Sequence, residues 1–163
     1  MNPLDELYQE VILDHHRNPR NFARLPTANR QAEGTNPLCG DHVTVYLDVA
    51  DGVIRNISFQ GEGCAIAKAS ASMMTAAVKG KSLAEAAQTF KQFHQMVTGG
   101  QDPCFDIEAL GKLAAFSGVS AFPVRVKCAS LAWHTLNAAM HRRDSAVVDE
   151  TRGSADTGWP TDK

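Results

Sequence analysis

The chain has 163 residues, 44% of them hydrophobic and 21% charged. That length fits one domain with a single sizeable core, and the composition excludes wholesale disorder, a collagen-like repeat and a disulfide-dense scaffold. Sixteen basic against eighteen acidic side chains leave a net charge of −2, without the long-range attraction on which nucleic-acid binding relies.

The amino terminus, MNPLDELYQEVILDHHRNPRNF, lacks the basic start and apolar block of a signal peptide. No run approaches the ~18 apolar residues of a membrane span. The expectation is a cytoplasmic protein, whose four cysteines (Cys39, Cys64, Cys104, Cys128) are free or metal-bound rather than paired. From Pro3 to His16, Leu4, Leu7, Val11 and Ile12 recur at helical spacing until RNPRN stops the pattern. Residues 20 to 41 have no period and read as an irregular connection. Val43, Val45, Leu47 and Val49 then alternate with polar residues, and Asp51-Gly52 turns the chain into VIRNISFQ, with Val53, Ile57 and Phe59 on one face. This predicts a β-hairpin.

The GEG at 61 to 63 lacks the Lys-Ser/Thr of a phosphate-binding loop and reads as a tight turn. Cys64 to Lys79 reads as a helix closed at Gly80. Ser82 to Glu85, SLAE, matches a capping box and opens a second helix up to Gly99-Gly100. Asp106 is expected to cap a short helix through Phe116, and Pro123 to open a long closing helix with basic residues at its end. From Asp144 the sequence is polar, rich in Gly and Asp and non-periodic, as in a segment without structure. The predicted fold class is α+β, a small antiparallel β-sheet packed against helices, with a domain over residues 1–143 and a tail over 144–163.

Cys39, Cys64 and Cys128 all lie at element ends, where helix dipoles and free N–H groups favour the thiolate, the form that binds metal and attacks sulfur. If the hairpin packs on the helices, their loops converge and Asp41, two residues from Cys39, adds an oxygen ligand. Three thiolates and a carboxylate suit four-coordinate zinc or one corner of an iron–sulfur cluster. The spacing fits no zinc-finger pattern, so ordinary buried thiols remain an equal reading. Cys39 as the nucleophile of a hydrolase or transferase stays a further alternative, although no histidine is placed as its base.

The bland readings cover the rest. Cys104 matches no ligand position and reads as a structural thiol. His15 and His16, about 100° apart on a helix, read as surface or partner-contact residues. His42 reads as an exposed strand residue, and His94, His134 and His141 as solvated helix residues. Arg125, Lys127, Arg142 and Arg143 read as a solvated face.

The segments HHRNPRN, NPLCGD, GEGCAIAKASAS and FPVRVKCASLAW, in that order, resemble the U-type iron–sulfur assembly proteins, the family of IscU, SufU and the amino-terminal domain of NifU. The resemblance covers roughly residues 3 to 142 and is nearest to SufU. Lys127 stands where IscU-like scaffolds have histidine, an extra segment surrounds FHQMVTGGQDPCFDIEALG, and AFPVRV lacks the double proline of their chaperone-binding segment.

The resemblance implies that Cys39, Asp41, Cys64 and Cys128 bind Zn2+, and that Cys39 accepts persulfide sulfur from a SufS-type cysteine desulfurase. In SufU relatives a desulfurase histidine replaces the acceptor cysteine on zinc. The sulfur would pass to downstream SUF assembly proteins, which makes the chain a sulfurtransferase-like carrier rather than a small-molecule enzyme. Lys127, as an ammonium, would steady the persulfide anion rather than ligate. The same residues as a scaffold for a transient iron–sulfur cluster, or as a structural zinc-binding module, are the alternatives.

Overall fold

In this computed structural model the described residues are 3–37, 39–99, 107–142 and 145–147. The elements run α1 (Pro3–Arg17), β1 (Arg30–Asn36), β2 (Asp41–Ala50), β3 (Val53–Glu62), α2 (Ala65–Val78), α3 (Leu83–Thr98), a 3₁₀ segment (Ile107–Ala121), α4 (Pro123–Met140) and β4 (Ser145–Val147). Among the described residues the strands form one sheet in the order β3-β2-β1-β4. The first three strands are antiparallel neighbours. The fold is α+β, and no described helix is long and apolar enough to cross a membrane.

The β2–β3 hairpin turns at Asp51 and Gly52, with φ of 55° and 73°. Two successive positive φ values match the right-handed twist of the flanking strands. A bulge between Asp48 and Val49 shifts the register, so that Ile54 rather than Val53 shares the buried face with Ile57 and Phe59. Val43, Val45, Leu47 and Val49 are buried, as their alternation predicts.

Sequence periodicity leaves residues 20 to 41 irregular, yet Arg30–Asn36 is a strand. Its buried positions are Ala32, Gly34 and Asn36, which carry too little apolar surface to produce a hydrophobic alternation. Helix α4 crosses directly above them. A Cβ built at Gly34 would fall 1.8 Å from Thr135 Oγ1, so close approach of helix to strand dictates the small residues.

α4 is the central helix, buried continuously from Cys128 to Met140. Trp133 stacks on Phe93, with centroids 4.7 Å apart, and lies over Phe90. The Trp133 indole N–H donates to Ser70 Oγ (3.2 Å), which itself donates to the Ala129 carbonyl (2.6 Å). This satisfies the Trp133 and Ser70 side chains where α2, rich in Ala and Ser, packs against α4. Ser82 caps α3 through a complete capping box with Glu85, and Gly99 ends it in the left-handed conformation, as the sequence predicts.

Between α3 and α4 the chain takes tight helical turns broken at Gly111 (φ 56°, ψ −127°), extending past Phe116 to Ala121. Asp106 and Cys104 lie outside the described residues. Three residues of the segment read as unstructured, Ser145–Val147, pair in parallel with β1. The remainder, residue 144 and residues 148–163, lies outside the described residues.

Candidate metal centre

β1 ends at Asn36, whose carbonyl accepts the N–H groups of Cys39 (3.2 Å) and Gly40 (2.8 Å). Gly40, at φ +76°, completes the reversal into β2. Cys39 is exposed at the tip of this turn, whereas Asp41, the first residue of β2, is only 3% exposed.

Asp41 reaches across to the next element. Its Oδ1 accepts the Cys64 N–H at 3.0 Å, and its Oδ2 lies 3.9 Å from Cys64 Sγ. The GEG segment is therefore no tight turn: Gly61 and Glu62 continue β3, and the glycines serve close approach. A Cβ at Gly63 would lie 2.9 Å from Asp41 Oδ1, so any side chain there would press on the carboxylate.

Cys64 is the residue that caps α2, and its sulfur accepts the Ala67 N–H at 3.4 Å. Cys128, on α4, is buried and directs its thiol to Cys39 Sγ at 3.9 Å. The donor atoms of Cys39, Asp41 and Cys128 all lie within 4.8 Å of one another. Cys64 stands outside that trio but against Asp41.

The charges of these groups are coupled. A hydrogen bond from Cys128 is the main cause that pulls the Cys64 thiol down to about 6, helped by the backbone N–H groups of Ala67 and Ile66, against burial and the Asp41 charge. The Cys128 thiol is pushed up by the same bond, by burial and by the neighbouring negative charges. One proton is thus retained where several anionic donors crowd together, which a cation can replace.

The donor set fits zinc. A tetrahedral centre with Zn–S bonds of about 2.3 Å places two sulfurs roughly 3.8 Å apart, and Cys128 and Cys39 stand at 3.9 Å. Soft thiolates with one carboxylate also suit iron.

Other histidines depart from their sequence readings. His15 is buried, with Nδ1 2.7 Å from Ser72 Oγ, so it joins α1 to α2 instead of facing a partner. His134 is buried against Phe90 and pairs edge-on with His94 at 5.9 Å, not solvated. Apolar neighbours brought by the tertiary fold, invisible to local periodicity, account for both. His42 and His141 are exposed. Arg125 is exposed over the Phe122 ring at 4.6 Å, and Lys127 is half-buried immediately before Cys128.

The profile of the NifU-like N-terminal domain matches residues 7–142. The chain belongs to that family. The matched span of this NifU-like domain contains Cys39, Asp41, Cys64 and Cys128. It is 40% identical over 142 residues to the zinc-dependent sulfurtransferase SufU of Bacillus subtilis (strain 168), covering 86% of this chain and 94% of that one. It is 37% identical over 146 residues to the iron–sulfur cluster assembly scaffold protein IscU of Streptococcus pyogenes serotype M1, covering 90% of each. Among solved structures, an iron–sulfur cluster assembly scaffold protein for the SUF system from Fervidobacterium islandicum AW-1 superposes with a TM-score of 0.76. That pair is 35% identical, covering 83% of this chain and 97% of that one.

Proposed function

We propose that this NifU-like domain is an iron–sulfur cluster assembly protein that accepts sulfur from the persulfide of a SufS-type cysteine desulfurase at Cys39. Cys39, Asp41, Cys64 and Cys128 would hold zinc, and the sulfur would pass to downstream SUF assembly proteins. The observation that carries this reading is the asymmetry of the site. Asp41 and Cys128 are buried in β2 and α4, while Cys39 and Cys64 are exposed. Of these two, Cys64 is fixed as the cap of α2 by bonds to Asp41 and Ala67, whereas Cys39 sits on a turn held to Asn36 by two backbone hydrogen bonds.

Bound zinc would supply positive charge that keeps the thiolates ionised at neutral pH, and it exchanges ligands without redox change. Asp41 keeps the Cys64 backbone in register, so that the buried donors stay in place when the Cys39 turn moves outward. The Cys39 thiolate attacks the outer sulfur of the desulfurase persulfide. A new S–S bond forms as the old one breaks, and the desulfurase thiolate leaves, so neither oxidant nor reductant is consumed. Lys127, beside Cys128, contributes positive charge near the product persulfide.

The test is anaerobic purification, metal analysis, and addition of a SufS-type desulfurase with cysteine. The expected result is bound zinc, faster alanine production, and one sulfur atom added to the Cys39 peptide by mass spectrometry. Absence of both zinc and stimulation would overturn the proposal. Cluster absorbance appearing on the chain after iron is added, without sulfur on Cys39, would support the scaffold reading, in which the same donors hold iron. Tight zinc with no sulfur uptake would leave a structural zinc module.

A further inference from the structure

A cleft of about 220 Å³ opens where α1, α2 and the 3₁₀ segment meet. Its walls are apolar, with Met73, Ala77, Leu110 and Leu113, and His15 and Lys112 are its polar members. Ser72, beside it on α2, follows Cys64 by about 12 Å along the helix axis. The cleft therefore shares no residue with the candidate metal centre.

The segment HHRNPRN builds the polar wall. His15 is only 7% exposed, and its Nδ1 lies 2.7 Å from Ser72 Oγ. The Arg20 backbone N–H donates to the same oxygen at 2.8 Å. Ser72 has no other acceptor for its hydroxyl proton among the described residues, so that proton goes to Nδ1. This network assigns the ring's own proton to Nε2. Nε2 has no hydrogen-bond partner among the described residues, and the ring lines the cleft. A donor this deep that no protein atom satisfies calls for a bound group.

Charge decides which group. Burial first, then the Arg20 charge and more weakly that of Lys112, hold the imidazole below its ordinary value, against the Asp14 carboxylate. At neutral pH the ring is thus neutral and Nε2–H donates. Asp14 is paired with Arg20 at 2.6 Å, whereas Lys112 is exposed and forms no ion pair among the described residues. The lining holds one cation, one N–H donor and no carboxylate. That set is complementary to an anion with a single charge on an apolar body. A phosphate dianion would lose more hydration than one donor and one ammonium return. At about 30 Å³ for each water-sized group, the volume holds roughly seven heavy atoms, the size of a five-carbon carboxylate.

We propose that this cleft binds a small monocarboxylate, whose oxygens take the His15 Nε2–H and the Lys112 ammonium while its short chain packs on Met73, Leu110 and Leu113. Bound there, it ties α1 and the 3₁₀ segment to α2, the helix that Cys64 caps. The inference goes beyond sulfur acceptance and stands whether or not that activity is confirmed.

The experiment titrates pentanoate into the intact chain, carrying isotope-labelled histidine, at neutral pH and follows the imidazole nitrogens by heteronuclear NMR. The expected result is a His15 ring in the Nε2–H tautomer whose Nε2 signal moves saturably. The melting temperature is expected to rise by about 3–6 °C at a tenfold excess over the dissociation constant. Neutral pentanamide is expected to bind about tenfold more weakly, and Lys112→Gln to weaken pentanoate about fivefold. Ala76→Leu, at an exposed position of α2 that lines the cleft, fills the space and is expected to abolish the shift, with the fold checked by circular dichroism. A His15 ring in the Nδ1–H tautomer, or one that pentanoate does not move, would overturn the proposal. Equal binding of pentanamide would reduce the cleft to an apolar crevice and refute the anion assignment. A shift that survives Ala76→Leu would place the ligand elsewhere and refute the site.

Discussion

Gly61 lies in β3 with φ +148°, and a Cβ built there meets the His42 carbonyl oxygen at 2.3 Å and Val43 Cα at 2.8 Å. Ordinary contact begins at 3.4 Å, and both obstructing atoms are backbone, so Gly61→Ala must push β3 from β2 by roughly 1 Å, an overpacking cost of ~1–3 kcal/mol. The positive φ adds ~1–3 kcal/mol for a residue with a side chain. The sum, about 2–6 kcal/mol, is a large share of the ~5–15 kcal/mol that holds a typical domain together. At ~2–4 °C per kcal/mol for a chain of this size, the melting temperature falls by about 4–24 °C.

The site lies at the same end of the strand pair. Gly61 pairs with Val43, two residues from Asp41, and widening there draws the Cys64 N–H from the Asp41 carboxylate it meets at 3.0 Å. Zinc affinity is then expected to fall about tenfold, equivalent to ~1.4 kcal/mol. Circular-dichroism melting of the metal-free proteins measures the first effect, and competition with a chromogenic chelator the second. Gly52→Ala is the control. Its φ is +73°, but no atom lies within 4 Å of the added Cβ, so only the backbone term of ~1–2 kcal/mol applies. A Gly61→Ala protein that melts within about 2 °C of the control would refute the strand-separation argument.

Three further outcomes are expected. Ser82→Ala removes the hydroxyl that accepts the Glu85 N–H, leaves the bond from the residue-82 N–H to the Glu85 carboxylate, and lowers unfolding free energy by about 1 kcal/mol, read from the urea midpoint. Burial takes the His134 imidazole down to about 3. Between there and the unfolded value near 6.5 only the unfolded chain is protonated, so stability falls as pH drops below ~6.5. His134→Leu should flatten the metal-free stability difference between pH 7 and pH 5 by about 2 kcal/mol, against a slope limit of ~1.4 kcal/mol per pH unit. In metal-free protein, iodoacetamide should alkylate Cys64 with a midpoint at about pH 6. Cys128→Ala, which removes the largest cause of that depression, should move the midpoint upward; an unchanged midpoint would count against the coupled pair.

The hairpin and the capped helices were legible in the sequence because their signals are local: alternation, Asp51-Gly52, Ser82 with Glu85, Gly99, Pro123. β1 was hidden because its inward residues are chosen for the proximity of α4, which periodicity does not record. The four candidate site residues came from their chemistry and from the family resemblance. That Cys39, Asp41 and Cys128 form the tight group while Cys64 stands against Asp41 required tertiary geometry. Gly61 and Gly63 showed a converse ambiguity. Their sequence suits a turn as well as a strand, and only the nearness of His42 and Asp41 reveals why side chains are excluded.

The small sheet also controls its own edges. β4 covers Glu33 to Thr35 along the open side of β1. On the opposite side, Phe59 exchanges backbone hydrogen bonds with Asn21 and Ala23, and Ile54 with Lys81 and Gly80. β1 and β3 therefore have part of their free hydrogen-bonding edges occupied from within the same chain, which discourages strand addition between molecules there. A form of the chain shortened before Ser145 would uncover the β1 edge and become more prone to self-association at high concentration, without the loss of any cysteine.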